Sequence, residues 1–576
     1  MSHHIRSPHA ILRVVLLLIG LCLTTSSTNA QNEVRKLVSI PAPGKISSYQ
    51  ISNDGTYVVY IADANDDEIY ELYSLPISGG TPVKLNRPMI TGGDVTSFII
   101  SPDNSRVVYK ADQEENGTYE LYSVPIDGPA EEGIKLNKAL PDEGNTYAYE
   151  ISTDSSRVIY IAEQDQVRTI GDGIFELYSV SIAGPASEGI KLNHPLRLEV
   201  NVCGDHNFAD NVSAFKISPD NQQVIYKATY YQSCNAVNEV FSVPIDGPSS
   251  EVIKLNPKLV VNGDVLEFKI SSNSARVVYS ADQDVDEQIE LFSISITGLP
   301  AEAVKLNNNL VSGDDVTSFL INPDSNIVVY GIDGNTYYED LLYSVPISGP
   351  ESNNIMIAGP STTARNKFHL ISSKLSPDGS WVIYQANTHE GSNLRELYSV
   401  PITGPITASA KLNPDFPLTY DGVSFGTYWI SPDSSRVVYD AGEDYPFLED
   451  LYGVPINGPM SENVNLTKDF EKTEDDEFTD ISITLDSLWV VFKNIQYQDG
   501  FIYSLNRVPI NGPSADYEKL NHPLAKSERI KNYQISTDGR YIIYAVSEIM
   551  DIRELYVVEF EEESPLLNIF LPLILH

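Results

Sequence analysis

The sequence predicts an all-β protein, a β-propeller of about ten four-stranded blades closed into a ring by its N-terminal strand. Three observations carry that expectation. One repeat of about fifty residues recurs ten times, each copy holds four short β-rich runs, and the two ends of the repeat array complement each other. No segment shows sustained helical periodicity.

The copies align on one tyrosine position: Tyr60, Tyr109, Tyr160, Tyr226, Tyr279, Tyr330, Tyr384, Tyr439, Phe492 and Tyr544. Successive spacings run from 49 to 55 residues, except one of 66 that carries an insertion with Cys203. In the second copy, Val95 to Ile100 is β-rich, Ser101 to Ser105 reads as a turn, and Arg106 to Lys110 as a second strand. Tyr119 to Val124 is a third strand, Pro125 to Pro129 a second turn, and Ile134 to Asn137 a short fourth strand. A four-stranded meander cannot cover both of its own faces. Radial stacking lets each sheet cover the next, with the repeated Tyr, Val and Ile between them.

At the start, Val34-Arg-Lys-Leu37 aligns with the fourth strand Val83-Lys-Leu-Asn86, whereas the last copy lacks that strand after Glu554 to Val557. The N-terminal strand is therefore expected to complete the last blade. Ten blades exceed the common four to eight, so two smaller rings in series are the alternative. The break would fall at Asn353 to Lys374, where the Lys-Leu-Asn signature is missing after six copies.

Ile430-Ser-Pro-Asp-Ser-Ser-Arg-Val-Val-Tyr439, with Glu-Leu-Tyr-Ser-Val-Pro-Ile strands and Lys-Leu-Asn, resembles the TolB-type, WD40-like propeller repeat of bacterial exported proteins. The resemblance covers nearly all of residues 31–562 and implies the fold. It leaves function open, because such propellers include partner-binding scaffolds, sugar-polymer lyases and regulatory domains of peptidases. TolB itself has a further amino-terminal domain, for which the short stretch between Ala30 and the first inner strand leaves no room.

Residues 1–30 read as a signal peptide. Arg6 and Arg13 precede and open an apolar run to Leu23, and Thr28-Asn29-Ala30 offers small residues for cleavage after Ala30. The expected location is secreted, periplasmic or at the cell surface. Residues 563–576 form a short apolar tail, Leu566 to Leu575, too short to span a bilayer as a helix. Cys203 and Cys234 remain after cleavage and are expected to form a disulfide stapling two insertions of the fourth copy, worth roughly 3 kcal/mol.

The formal net charge of −41 excludes nucleic acid as a natural partner and favours cations, basic partners and solubility. Three loops between second and third strands alternate oxygen-bearing side chains in the manner of calcium loops in the hairpins of some extracellular propellers. They are Asp63, Asn65, Asp67 with Glu71; Asp112, Glu114, Asn116 with Glu120; and Asp282, Asp284, Asp286 with Glu290. Calcium takes six to eight oxygens, which this spacing can supply. Only Gly117 reproduces the loop glycine; Glu68 and Glu287 stand there in the other two. A solvated acidic hairpin tip is the other reading of the same residues.

Asp94, Asp264 and Asp315 precede innermost strands, where they would ring the channel mouth and bind a cation or basic peptide end, or hold turn backbone. Catalytic signatures are poor. Gly422-Val-Ser-Phe-Gly426 fits the nucleophile-elbow pattern but leads into a strand, not a helix. No two histidines share zinc-helix spacing; His369 and His389 are the candidates for a channel lyase. The expected protein is thus a monomeric, non-catalytic exported scaffold. It binds a protein, peptide or glycan through its acidic loop face, with calcium as a candidate structural ion. The alternative is a polysaccharide lyase or hydrolase working in the central channel.

Overall fold

The computed structural model describes residues 33–560 except 66–67, 143, 166–172, 197, 200–207, 233–234, 335–339, 361–367, 388–394, 415–426, 445–447, 471–475, 498–500 and 549–550. The expected signal peptide, the apolar tail, Cys203, Cys234, Asp67, His389 and the Gly422–Gly426 motif lie outside the described residues.

Blade two shows the plan. Strands Val95–Ile100, Arg106–Ala111, Glu120–Pro125 and Ile134–Lys135 pair antiparallel in chain order. Tyr109 stands opposite Phe98 on one side and Tyr122 on the other, and the Tyr109 and Tyr122 rings stack at 5.3 Å. Side chains alternate across a strand, so one ring per strand meets its neighbour on the same face. The pairing recurs from Tyr60–Tyr73 to Tyr544–Tyr556. Blade nine departs from it: Phe492 faces Asn506 and packs edge-on against Phe470 and Phe478 instead.

The Ser-Pro-Asp turn closes on itself. Ser101 Oγ donates to Asp103 Oδ1 at 2.6 Å, and the Ser105 and Arg106 N–H groups donate to Asp103 and Ser101 at 3.0 and 2.9 Å. Burial works against ionisation of Asp103, but the bonds from Ser101 and Ser105 outweigh it and hold its carboxyl below the usual aspartate value. Asn104 sits at φ +60 and accepts the Asn53 N–H of blade one at 2.8 Å. Ser155, Asn221, Ser274, Ser325, Ser434 and Ser487 take the same left-handed conformation and clasp the preceding blade's turn wherever a bond is described. Glycines 55, 379 and 539 occupy this position in blades one, seven and ten, with no side chain to clasp with.

The Asn of Lys-Leu-Asn is the staple between third and fourth strands. Buried Asn137 accepts the Leu121 N–H at 2.8 Å and donates to the Lys138 carbonyl at 2.9 Å. Blade six lacks this signature because its fourth strand is longer, Ile355–Ala358, and pairs as far as Leu342.

Among the described residues, ten hydrophobic clusters link ten blades. Each cluster takes residues from two neighbours, from Val59 and Leu72 with Val107 and Tyr109, around to Val491 and Leu505 with Ile542 and Tyr544. The last cluster joins Ile543 and Leu555 of blade ten to Ile46, Val58 and Tyr60 of blade one. Strand Glu33–Ser39 pairs antiparallel with Asp551–Glu559 and fills the fourth position of blade ten. The chain is one closed ring. The six-plus-four alternative fails, because Val329, Leu342 and Ile357 of blade six pack on Val382, Tyr384 and Val400 of blade seven.

Candidate functional site

The strand order separates two faces. One holds the Ser-Pro-Asp turns and the turns from third to fourth strands, such as Pro125 to Ala130. The other holds the hairpins from second to third strands and the connectors to the next blade. The turns from third to fourth strands keep one length in blades two to nine and are shorter only in blade one; the second face varies more. Its paired strands end level with the blade body in blade two, at Ala111 and Glu120, but run ten residues each in blade four and nine each in blade nine.

First strands form the inner wall. A recess of about 520 Å³ is lined by Ser48, Tyr49 and Gln50 of blade one, Thr96, Ser97 and Phe98 of blade two, and Gln534 of blade ten. In nine blades the first strand carries a register shift against the second, as between Val95 and Ser97. Such bulges re-aim side chains, here leaving small polar residues such as Ser47, Ser48 and Thr96 exposed.

The three acidic hairpins share one left-handed position. Gly117, Glu68 and Glu287 have φ of 84, 58 and 59, so the two glutamates adopt the glycine-like conformation that their sequence gives no sign of. Buried Asp112 accepts the N–H of Asp94 at 2.6 Å and of Gly117 at 2.8 Å, using both carboxylate oxygens on backbone. Asp282 likewise accepts the Asp264 N–H. The closing glutamates are spoken for by the fourth-strand lysines: Glu71 by Lys84, Glu120 by Lys135 and Glu290 by Lys305. Burial opposes the Lys135 charge, yet its bonds to Glu120 and Glu114 prevail and hold the ammonium above its usual value. Burial raises the Glu290 carboxyl despite Lys305. Glu114, Asn116, Asp284 and Asp286 are exposed at the tips, with Asn65 beside them in blade one. Among the described residues no three acids, histidines or cysteines converge as a metal cluster.

The mouth aspartates hold blades together. Asp94 accepts the Tyr70 N–H of blade one at 2.7 Å, Asp264 the Asn238 N–H of blade four at 2.6 Å, and Asp315 the Ile289 N–H of blade five at 2.7 Å. Asn145 and Asn211 do the same for Tyr119 and Phe175. The turn backbone they bond belongs to the preceding blade, which their position in the chain did not indicate.

His194 and His522 occupy equivalent positions, in the connectors that follow the fourth strands of blades three and nine. Each donates its backbone N–H to the repeat tyrosine, Tyr226 or Tyr544, and burial lowers both imidazoles. His369 differs. Its Nδ1 lies 2.8 Å from Asp340 Oδ2, and the Leu370 N–H donates to the same oxygen at 2.7 Å. Burial raises the Asp340 carboxyl against both contacts. Across blade seven, His369 pairs with Asn387 and Asn387 with Arg395, so the three stand in one row. The sequence offered His369 alone; its aspartate comes from blade six and its row from strand register.

Neither a family description nor a curated protein sequence matches the chain. Among solved structures it is similar to a prolyl endopeptidase at 11% identity, over 72% of this chain and 54% of that one, with a TM-score of 0.33. The chain thus spans about half the length of that peptidase. It is also similar to a eukaryotic initiation factor at 10% identity, over 79% of this chain and 96% of that one, with a TM-score of 0.44. At such overlaps these likenesses say nothing of activity, and the propeller rests on the chain's own sheets. No helix among the described residues is long and apolar enough to cross a membrane.

Proposed function

We propose that this ring is an exported, TolB-like, non-catalytic scaffold that binds a basic protein, a peptide or a glycan through its hairpin face, as a monomer and without nucleic acid. One observation carries the reading. The Ser-Pro-Asp turns bond within and between themselves, whereas the hairpin face varies in length and presents exposed Glu114, Asp284 and Asp286. Variable loops on a rigid frame are where binding residues concentrate.

The test sets two charge-reversed proteins beside the unmodified one, Glu114→Lys with Asp284→Lys and Asp286→Lys on the hairpin face, and Asp127→Lys with Asp246→Lys on the turn face. Calorimetry against basic peptides and neutral oligosaccharides should show loss only in the first. Loss in the second alone would overturn the reading. Amino-terminal sequencing of the exported chain should begin at Gln31, and intact mass with and without reduction should differ by one Cys203–Cys234 bond. Calcium belongs to the proposal only at the exposed tips, where Glu114 and Asp284 would exchange their lysine contacts for the ion. A rise in melting temperature with millimolar calcium, lost in Asp284→Ala, would establish it there.

A second reading has its own observation. The Asp340–His369 pair beside Asn387 and Arg395 has the parts of a base and an anion-stabilising group, as lyase chemistry on an acidic polysaccharide requires. Release of unsaturated sugar ends by the mature chain, abolished in His369→Ala, would favour it over the scaffold.

A further inference from the structure

The inner wall carries a stitch between blades that blade one could make and does not. Its donor stands on the first strand, two positions before the serine that opens the turn. There Lys269 donates to the Phe319 carbonyl of the next blade at 2.6 Å, and Lys374 to the Tyr428 carbonyl at 2.5 Å. Gln534 of blade ten donates to the Tyr49 carbonyl at 2.8 Å and accepts the Ile51 N–H at 3.1 Å, so both ends of one amide sew blade ten to blade one. Lys216 turns back instead to Glu150 of blade three.

Gln50 holds this position in blade one, two residues before Ser52, and Phe98 of blade two offers the matching carbonyl. The bond is not formed. Among the described residues neither the Gln50 amide nor the Ser48 hydroxyl makes a hydrogen bond. The recess of about 520 Å³ opens between these two and Thr96, Ser97 and half-buried Phe98. Thr96 spends its hydroxyl proton on the Lys110 carbonyl at 3.3 Å, and Ser97 Oγ meets the Tyr149 hydroxyl at 3.1 Å. No Asp, Glu, Lys or Arg lines the recess.

We propose that this recess binds a neutral saccharide unit of a glycan. The inference goes beyond the hairpin-face reading, because the recess lies on first strands and stands or falls without the acidic tips. The Gln50 amide has an acceptor and two donors to give, and Ser48 adds a hydroxyl that serves as either. A pyranose presents the same alternation of donors and acceptors along its edge. Phe98 supplies an apolar wall for its C–H groups, and the volume falls within the roughly 300–1,000 Å³ of small-molecule sites. A charged ligand, such as a peptide terminus or a uronic acid, would leave water with no counter-charge in the lining. The net charge of −41 opposes an acidic sugar further.

The test titrates the mature chain by calorimetry with neutral trisaccharides of glucose, galactose, mannose, xylose and N-acetylglucosamine. Trigalacturonate and a doubly capped tetra-alanine peptide are the competing probes. Gln50→Ala and Phe98→Leu are titrated alongside, with circular dichroism melts to establish that both fold. Blade nine already places an aliphatic side chain, Ile481, at the Phe98 position. The distant control is Glu114→Lys with Asp284→Lys and Asp286→Lys. A neutral trisaccharide should bind, and either recess variant should weaken it about 10-fold, as loss of one or two hydrogen bonds or of the apolar wall would. The hairpin-face control should leave it unchanged.

Sugar binding indifferent to either recess variant overturns the site. If the hairpin-face control then removes it, the glycan belongs to the tips and the scaffold reading survives alone. Tighter binding of trigalacturonate or of the capped peptide, lost in Gln50→Ala, overturns the neutral saccharide as occupant. No neutral trisaccharide bound at millimolar concentration overturns the proposal.

Discussion

Blades two and eight are built from the same repeat, yet one half-buried arginine is satisfied in the first and stranded in the second. In blade two, Arg106 Nε donates to Ser123 Oγ at 2.7 Å, and its Nη2 to the Ser123 carbonyl at 3.2 Å. In blade eight the serine position is Gly453, and Arg436 Nε and Nη2 are buried without a partner. A Cβ on Gly453 would come within 2.9 Å of the Ile510 carbonyl of the next blade. The close approach of blade nine therefore takes precedence over the arginine's bonds. The lesson is one of hierarchy: contact between blades decides first, and bonding within a blade adapts to it.

The largest expected effect tests the top of that hierarchy. Tyr279 is fully buried between blades four and five, and Tyr279→Ala should cost about 3–5 kcal/mol in denaturant unfolding. Glu114→Ala, at an exposed tip, should stay within about 0.5 kcal/mol. Equal costs would mean that inter-blade packing is not what holds the ring.

Next comes the within-blade bond. Ser123→Gly recreates blade eight's arrangement in blade two, leaving the Arg106 donors unpaired in a half-buried position. Unfolding should show a loss of about 1–2 kcal/mol, the sum of an abandoned hydrogen bond and a glycine inside a strand. No loss would mean that Arg436 is no worse off than Arg106, and the comparison would fall.

The same hierarchy explains what could be read in advance. Repeat length, strand order and closure by Val34 to Leu37 are local patterns, and the structure bears them out. Ring against split was not legible at Asn353 to Lys374, because the missing Asn staple is a within-blade feature. The decisive contact, Ile357 with Val382 and Tyr384, lies between blades. Likewise Glu68 and Glu287 argued against a shared hairpin by residue preference, while the hairpin imposes φ near +60 on both. Asp94, Asp264 and Asp315 were visible as a set, but their partners belong to neighbouring blades. The Tyr497–Phe501 ring pair of blade nine had no signal in the repeat, because its residues lie beyond the strand length that most copies share.

A smaller effect concerns pH. Asp54, Asp103, Asp154, Asp378 and Asp433 all sit below the usual aspartate value of 3.8; burial pulls the other way, and turn hydrogen bonds prevail. A depressed carboxyl stabilises the fold above its unfolded value and loses that contribution as pH falls through its folded one. The loss therefore lies below pH 3.8. Blade five provides the natural control: Asn273 accepts from Ser271 at 2.8 Å and from the Ala275 N–H at 3.0 Å without titrating. Changing Asp103, Asp154, Asp378 and Asp433 to Asn should lower the acid-unfolding midpoint. An unmoved midpoint would show that acid unfolding starts elsewhere.

The smallest effect separates the turn clasp from its backbone. Asn104 accepts one exposed hydrogen bond from blade one and occupies φ +60. Asn104→Gly loses the bond but gains a residue at ease in that conformation, so stability should move by less than about 0.5 kcal/mol. Blades one, seven and ten already stand in this state with glycines 55, 379 and 539. Asn104→Ala loses the bond and keeps the strain, and should cost about 1–2 kcal/mol. If glycine proved as costly as alanine, the clasp rather than the backbone would be what the position supplies, and the three glycine joints would be the weak points of the ring.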